Sequence, residues 1–261
     1  MRRGRSVAAA DGLRILAVSS PRRLDTATRR RREQASERRR TLDASLRRLS
    51  ADHGLDPGQV AVGLGDAVDV LTDDVSSRGY DLVVLTDSPA SRRSLPRLLR
   101  SSPCPLWIHR PGTTGNAVLV AVDTSSPDVE ANQRIVTQAA DIARGRGSRL
   151  HIVHTWEFLD DHPAGRRVPH VEGRPFDVER PTTLDERRQA LQRLAPRDVP
   201  ALLHVKRGHP VDVVERLVES ESVDVVVAGN PRRRGWHEMV GSDVVGDLIR
   251  SVRSSIVAVP S

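Results

Sequence analysis

The residues with the strongest claim to chemistry lie near the end of the chain, in Val223–Ser242, VDVVVAGNPRRRGWHEMVGS. A short apolar run, Val225–Ala228, is too brief for a helix and rich in β-branched side chains, which predicts a buried parallel strand that stops at Gly229. A polar loop with Arg232–Arg234 and Gly235 follows. Gly241-Ser242 then opens a helical pattern with Val245, Leu248 and Ile249 on one face. Strand, glycine loop and helix N-terminus together suit an anion. The free N–H groups of the first helical turn point out of its end, and the dipole there favours negative charge. Glycine lets the backbone come close to a ligand. Ser242 can donate to a phosphate, or it can be an ordinary N-cap, a position serine prefers. Arg232–Arg234 also read two ways. Arginine pairs well with phosphate, yet the run could fill the groove or pair with Glu238. Asp243, in the first turn, would compete with a bound anion.

Asp123 is the other residue of interest. It ends an apolar run, Ala117–Val122, that predicts a second buried strand. In an open parallel sheet, ligands bind beyond the carboxyl ends of the strands, where the strand order reverses. Asp123 and Gly229 would both face that crevice. A cap for the following helix is the alternative role for Asp123. The nine histidines show no metal spacing. His151 and His154 share a strand but point to opposite sides, and His204, His209 and His237 are scattered. Cys104 stands alone, which leaves no internal disulfide or thiolate metal centre. No nucleophile elbow, Walker lysine or carboxylate pair is present, so neither an enzyme nor a metal protein is expected.

The elements that must position these residues come from a chain of 261 residues, enough for one large or two small domains. Aromatic residues make up 2%, so the core must be Val, Leu, Ile and Ala. The net charge is +7 and arginine carries nearly all of the positive side, Lys206 being the single lysine. Residues 1–11 read as disordered and lack the apolar segment of a signal peptide. No apolar run reaches the length of a membrane span. A cytoplasmic protein is expected. Pro21–Leu49 reads as one arginine-dense helix whose runs Arg29–Arg32 and Arg38–Arg40 are interleaved with Glu33, Glu37 and Asp43, a solvated face. Nucleic-acid binding through these runs would show as a steep loss of affinity with salt; with no interleaved aromatics it is the lesser reading.

Further strands are predicted at Leu13–Val18, Gln59–Leu64, Leu82–Leu85, Leu106–Ile108, Leu150–His154, Ala201–Lys206 and Ile256–Val259. Helices are predicted at Asp66–Arg78, at Leu95–Arg100 with Pro96 limiting its start, after a Ser126 cap with Pro127 at the first position, after a Thr183/Glu186 capping box, and at Pro210–Glu219. Ile135, Val136, Ala139, Ile142 and Ala143 form one inner stripe, with Gly145 and Gly147 ending that helix. Residues 157–180 read as a long polar loop and 111–116 as a linker.

The chain repeats itself. Gly65-Asp-Ala-Val-Asp-Val matches Gly208-His-Pro-Val-Asp-Val, and Tyr80-Asp-Leu-Val-Val matches Val223-Asp-Val-Val-Val, both at an offset of 143. Leu99-Arg100-Ser101 matches Ile249-Arg250-Ser251 at an offset of 150, so the copies differ by seven residues in the glycine loop. In the first copy that strand runs into Thr86-Asp87-Ser88-Pro89, with an acid where a phosphate would lie.

The C-terminal stretch resembles the universal stress protein family, whose ATP-binding members carry G-x2-G-x9-G-[ST] between the fourth strand and the last helix. Gly229 matches the first glycine, Gly241-Ser242 match the last pair, and Gly235 matches a further glycine common in that loop. Arg232 replaces the second glycine, and the loop is one residue short. Pro103-Cys104-Pro105-Leu106-Trp107 is very similar to the end of the first copy in tandem, two-domain members. The resemblance implies two doubly wound (HUP-like) α/β domains, 12–110 and 117–261, each a parallel sheet of order 3-2-1-4-5. It places ATP in the second, with Asp123, Val153, Gly229, Arg232, Gly235, Gly241, Ser242 and Val244 around it and no protein-held metal. It also implies pairing of the two domains, or a homodimer, and a role in stress response. The alternative is a tandem scaffold that binds no nucleotide. The first copy offers four strands and is incomplete, because the central strand and its helix have no match. Either the natural chain begins upstream, or Leu13–Val18 takes the central place, or the half-domain leans on the second copy.

Overall fold

The computed structural model describes residues 15–19, 37, 40–48, 51–52, 60–64, 66–124, 128–156, 183–230 and 244–261. Within them the chain forms two compact units, Met1–Tyr80 and Asp81–Ser261, a division that falls inside the first sequence copy.

In the first unit, strand β1 (Ile15–Ser19) pairs in parallel with β2 (Val60–Leu64). Residues 40–48 are helical (α1), within the stretch expected as one long helix; residues 20–36, with Arg29–Arg32, lie outside the described residues. Helix α2 (Ala67–Arg78) follows β2. Its start is set by Asp66, whose carboxylate accepts from the N–H groups of Val68 at 3.0 Å and Asp69 at 3.3 Å. It ends at Gly79, where φ is 67°, a left-handed conformation that suits glycine.

The second unit is a seven-stranded sheet. Its elements are β3 (Val83–Thr86), α3 (Pro89–Ser101), β4 (Leu106–His109), β5 (Ala117–Val122), α4 (Val129–Arg146), β6 (Arg149–Trp156), α5 (Leu184–Leu194), β7 (Ala201–Arg207), α6 (Pro210–Ser220), β8 (Val223–Asn230), α7 (Val244–Ser251) and β9 (Ser255–Pro260). The strand order is β3-β4-β9-β8-β5-β6-β7. The second copy therefore has the expected 3-2-1-4-5 order in β7-β6-β5-β8-β9, all parallel. The four strands of the first copy divide between two sheets. β1 pairs with β2, so it does not take a central place beside β3, and β3-β4 join the second copy through an antiparallel β4–β9 pairing.

One row of side chains crosses all seven strands in register: Val84, Trp107, Val257, Val227, Val120, Ile152 and Leu203. Helix α4 covers the middle of this face with Ile135, Val136, Ala139, Ile142 and Ala143, and α5 adds Leu191 and Leu194. Each such aliphatic side chain removed from water contributes about 1.5–3 kcal/mol, which is why the β-branched strands hold without aromatics. The row frays at the β3 edge. Val84 is 56% exposed, whereas Val227, its counterpart in the repeat, is fully buried.

Several boundaries differ from expectation for local reasons. Helix α3 begins at Pro89, six residues before Leu95, because Ser88 and Ser91 form a capping box and Pro89 supplies a preset first position. Pro96 sits inside the helix, and its cost is offset by burial of Leu95, Leu98 and Leu99. Asp128, not Ser126, caps α4 by accepting from the Ala131 N–H at 2.8 Å. Ser126 and Pro127 lie outside the described residues, as does the loop 157–180. Gly145 is within α4, and Gly147 alone ends it, at φ 60°. β8 runs through Gly229 to Asn230. The capping box of Thr183 and Glu186 forms as expected.

Side chains secure the β4–β9 seam. Arg110, just past β4, donates to the carbonyls of Ile249 and Val252 at the end of α7 and to the Asp87 carboxylate at 2.8 Å. Arg92 grips the same carboxylate at 2.6 Å. These contacts, Arg92 first, hold Asp87 down at about 2, from an ordinary 3.8. In return Asn230, at the repeat position matching Asp87, donates to the Leu99 carbonyl of α3 at 2.6 Å. Because the folded state depresses this pKa, the contribution is complete above pH 3.8 and is lost as pH falls toward 2. Arg110→Ala should destabilise the protein by about 2–4 kcal/mol in urea unfolding at neutral pH, since it strips two helix-end carbonyls and a buried carboxylate of a donor. Asp87→Asn should flatten the acid limb between pH 4 and 2. An unchanged limb would show that Asp87 is not the group titrating there.

Candidate functional site

The strand order reverses between β5 and β8. β5 leads through α4 to β6 on one side, while β8 enters on the other. The carboxyl ends of these two strands bound the crevice where open α/β sheets take ligands. Their last paired residues are Ala121 and Ala228, which brings Asp123 and Gly229 to the same end. Asp123 is exposed, and its carbonyl accepts from the buried Asn132 side chain of α4 at 2.6 Å. With Asp128 capping α4, the capping role weighed for Asp123 falls to another residue.

The remaining expected residues are placed as follows. Val153 lies on β6 between Ala121 and His204, with its side chain fully buried. Val244 is the first residue of α7 and partly exposed. Arg232, Gly235, Gly241 and Ser242 lie outside the described residues. Gly229 has a packing reason of its own, since a Cβ there would sit 2.7 Å from Ile135 Cδ1 on α4.

The histidines separate as their spacing on β6 predicts. His151, on the α6 side, is fully buried and shares a 3.0 Å hydrogen bond between its Nδ1 and His204 Nε2, the rings being nearly parallel. Burial pushes both below the ordinary histidine range, and the neighbouring His204 ring lowers His151 further. His154 faces the opposite side. Its Nδ1 is 3.3 Å from the Val122 carbonyl and its Nε2 is 3.0 Å from Arg187 Nη1. Arg187 lies 5.3 Å from the Trp156 ring centre, and Arg207 lies 5.8 Å from the same ring. This group was not anticipated. The one available signal was a polar residue, then an aromatic one, at alternate positions where an apolar strand ends. Among the described residues no group of three or more His, Cys, Asp or Glu could hold a metal ion. Burial raises the pKa of Cys104, which leaves its thiol protonated. An open groove of about 740 Å³ runs along α4 opposite Pro103 and Pro105 and reaches Val259, the register partner of Gly229. No helix among the described residues is long and apolar enough to cross a membrane.

The sequence model of the universal stress protein family matches residues 116–260, more than half of the chain. No curated protein matches it. Among solved structures, a universal stress protein from Archaeoglobus fulgidus DSM 4304 is similar over 95% of this chain and 85% of its own, with 15% identity and a TM-score of 0.65. A functionally unknown protein from Pseudomonas aeruginosa PAO1 is similar over 96% of this chain and 93% of its own, with 17% identity and a TM-score of 0.60. These likenesses bear on the fold alone. A universal stress protein from Archaeoglobus fulgidus in complex with dAMP is similar over 55% of this chain and 96% of its own, with 17% identity and a TM-score of 0.34, too little to carry a ligand over.

The packing explanation of Gly229 can be checked directly. Gly229→Ala should cost no more than about 1 kcal/mol in denaturant unfolding, because the added Cβ meets only the movable Cδ1 end of Ile135. Adding Ile135→Val, which removes the Cδ1 methyl, should restore most of it. A destabilisation indifferent to Ile135 would contradict this contact.

Proposed function

Because the chain belongs to the universal stress protein family, we propose that its second domain is a regulatory module that takes an adenine nucleotide, ATP, in the crevice between β5 and β8. The observation that carries this reading is the convergence of Asp123 and Gly229 at the reversal point of the strand order. An aspartate there can accept from ribose hydroxyls. The N-terminus of α7, reached through the loop with Gly241 and Ser242, lies on the phosphate side of the motif. The module acts by binding and release in a stress response within the cytoplasm, without rapid catalysis. The first copy serves as its structural partner through β4–β9.

A second reading is a scaffold with no nucleotide. It is favoured by the contact of Gly229 with Ile135, which accounts for that glycine without a ligand, and by Arg232 in the place of the motif's second glycine. Calorimetric titration with ATP, with and without magnesium, separates the two. The nucleotide reading predicts saturable binding that is abolished by Gly241→Asp, which puts an acid beside the phosphates. Absence of heat from ATP, ADP and AMP with folded protein would leave the scaffold.

A further inference from the structure

The hydrogen bond between His151 and His204 joins β6 to the edge strand β7, and the crevice makes no use of it. The ring centres are 5.3 Å apart and the planes differ by 4°, with 3.0 Å between Nδ1 of His151 and Nε2 of His204. The separation of the centres is the N···N distance plus the two ring radii. The rings therefore lie end to end in one plane, the geometry of a straight N–H···N bond and not of a stack.

The ring protons can be counted. Two neutral imidazoles carry two of them. One lies in the shared bond. The other sits on an outer nitrogen, either His151 Nε2 or His204 Nδ1. His151 Nε2 is buried and has no partner among the described residues, and orphaned donors are rarer in folded proteins than orphaned acceptors. The second proton is therefore on His204, the ring that is partly exposed. A third proton has one vacancy, His151 Nε2, where it would bury a charge and a donor without an acceptor. The other course is to break the bond and turn a charged His204 to water. Among the described residues β7 is the last strand of the sheet and pairs with β6 alone, so that course is open.

The surroundings do not offer the third proton a counter-charge inside the core. Glu221, beyond α6, favours charge on both rings, whereas Arg149 on β6 opposes it at His151 and Lys206 on β7 opposes it at His204. Helix α6 buries Val211, Val213, Val214 and Leu217. Its Asp212, Arg216 and Glu219 are exposed, and Glu215 and the preceding His209 are half-buried. β5 supplies Leu119, the register partner of His151.

We propose that the His151–His204 bond is a proton-operated latch, which fastens the edge strand β7 to β6 when neutral and releases that strand when mild acid protonates it. Burial depresses both rings from their ordinary 6.5, so the stabilisation is complete above that pH and is lost as pH falls below it. Release uncovers the edge of β6 at Val153, the register partner of His204. The latch does not depend on a bound nucleotide.

Native-state hydrogen exchange of the full chain tests it, with intrinsic rates corrected between the two conditions. From about pH 7.5 to about pH 5.5, the wild-type β7 amides Leu202–Lys206 should lose roughly tenfold in protection for each ring freed to take a proton, while β5 and β8 keep theirs. His151→Leu/His204→Leu removes both partners together, a change that can be nearly neutral for stability, and should leave β7 protection indifferent to pH over this range. Equal protection of wild-type β7 in both conditions, an equal loss in the double variant, or a loss shared by β5 and β8 would each overturn the latch. Nitrogen chemical shifts of the wild-type rings give a check that needs no variant. They should show His151 protonated at Nδ1 and bare at Nε2 near neutral pH. A His151 ring that takes a second proton while β7 stays protected would overturn the latch as well.

Discussion

The antiparallel pairing of β4 with β9 is the constraint on which the larger unit depends. A four-residue strand such as β3 or β4 cannot form a stable sheet with one neighbour in water. Hydrogen-bonded to β9, the pair becomes the end of a seven-stranded sheet. Trp107 can then lie beside Val257 under the cover of the shared core. The seam also solves a capping problem at each helix end near it. Arg110 from the first copy supplies donors to the last carbonyls of α7, and Asn230 from the second supplies one to α3. The positions of Asp87 and Asn230 correspond in the repeat, yet one accepts from arginines and the other donates to a carbonyl. The duplicated sequence has thus become asymmetric at the point where its copies meet.

That asymmetry extends to the ligand end. In the second copy the strand reversal leaves a crevice with an exposed aspartate, Asp123, and cationic side chains on the β6–β7 flank. In the first copy the turn after β3 is closed by its own chemistry, since the Asp87 carboxylate is held by Arg92 and Arg110.

Much of the larger sheet was legible in the residues. The short β-branched runs predict β5, β6, β7, β8 and β9, and the resemblance to the universal stress protein family implied their order. The four strands counted in the first copy are present among the described residues. The β4–β9 pairing was not legible, because pairing between two strand edges about 150 residues apart leaves no local pattern. Helix starts were misplaced where the cap was uncommon: Ser88 with Ser91 instead of an acidic partner, and Asp128 two residues beyond a more obvious serine. The placement of Asp123 and Gly229 at the same end of β5 and β8 was legible from the strand ends. The close approach that explains Gly229 is to Ile135, and the contacts of His154 with Val122, Thr124 and Arg187 link β5, β6 and α5. Both depend on packing between distant elements, which periodicity does not encode.

Native-state hydrogen exchange on the full chain is the most direct test of the seam. If β4–β9 pairing is integral to the sheet, the amides of Leu106–Ile108 should exchange with the slowest class, together with those of Ile256–Ala258 and β8. Fast exchange of Leu106–Ile108 by local opening, with β8 and β9 still fully protected, would show that β3 and β4 are an appendage and would contradict the account.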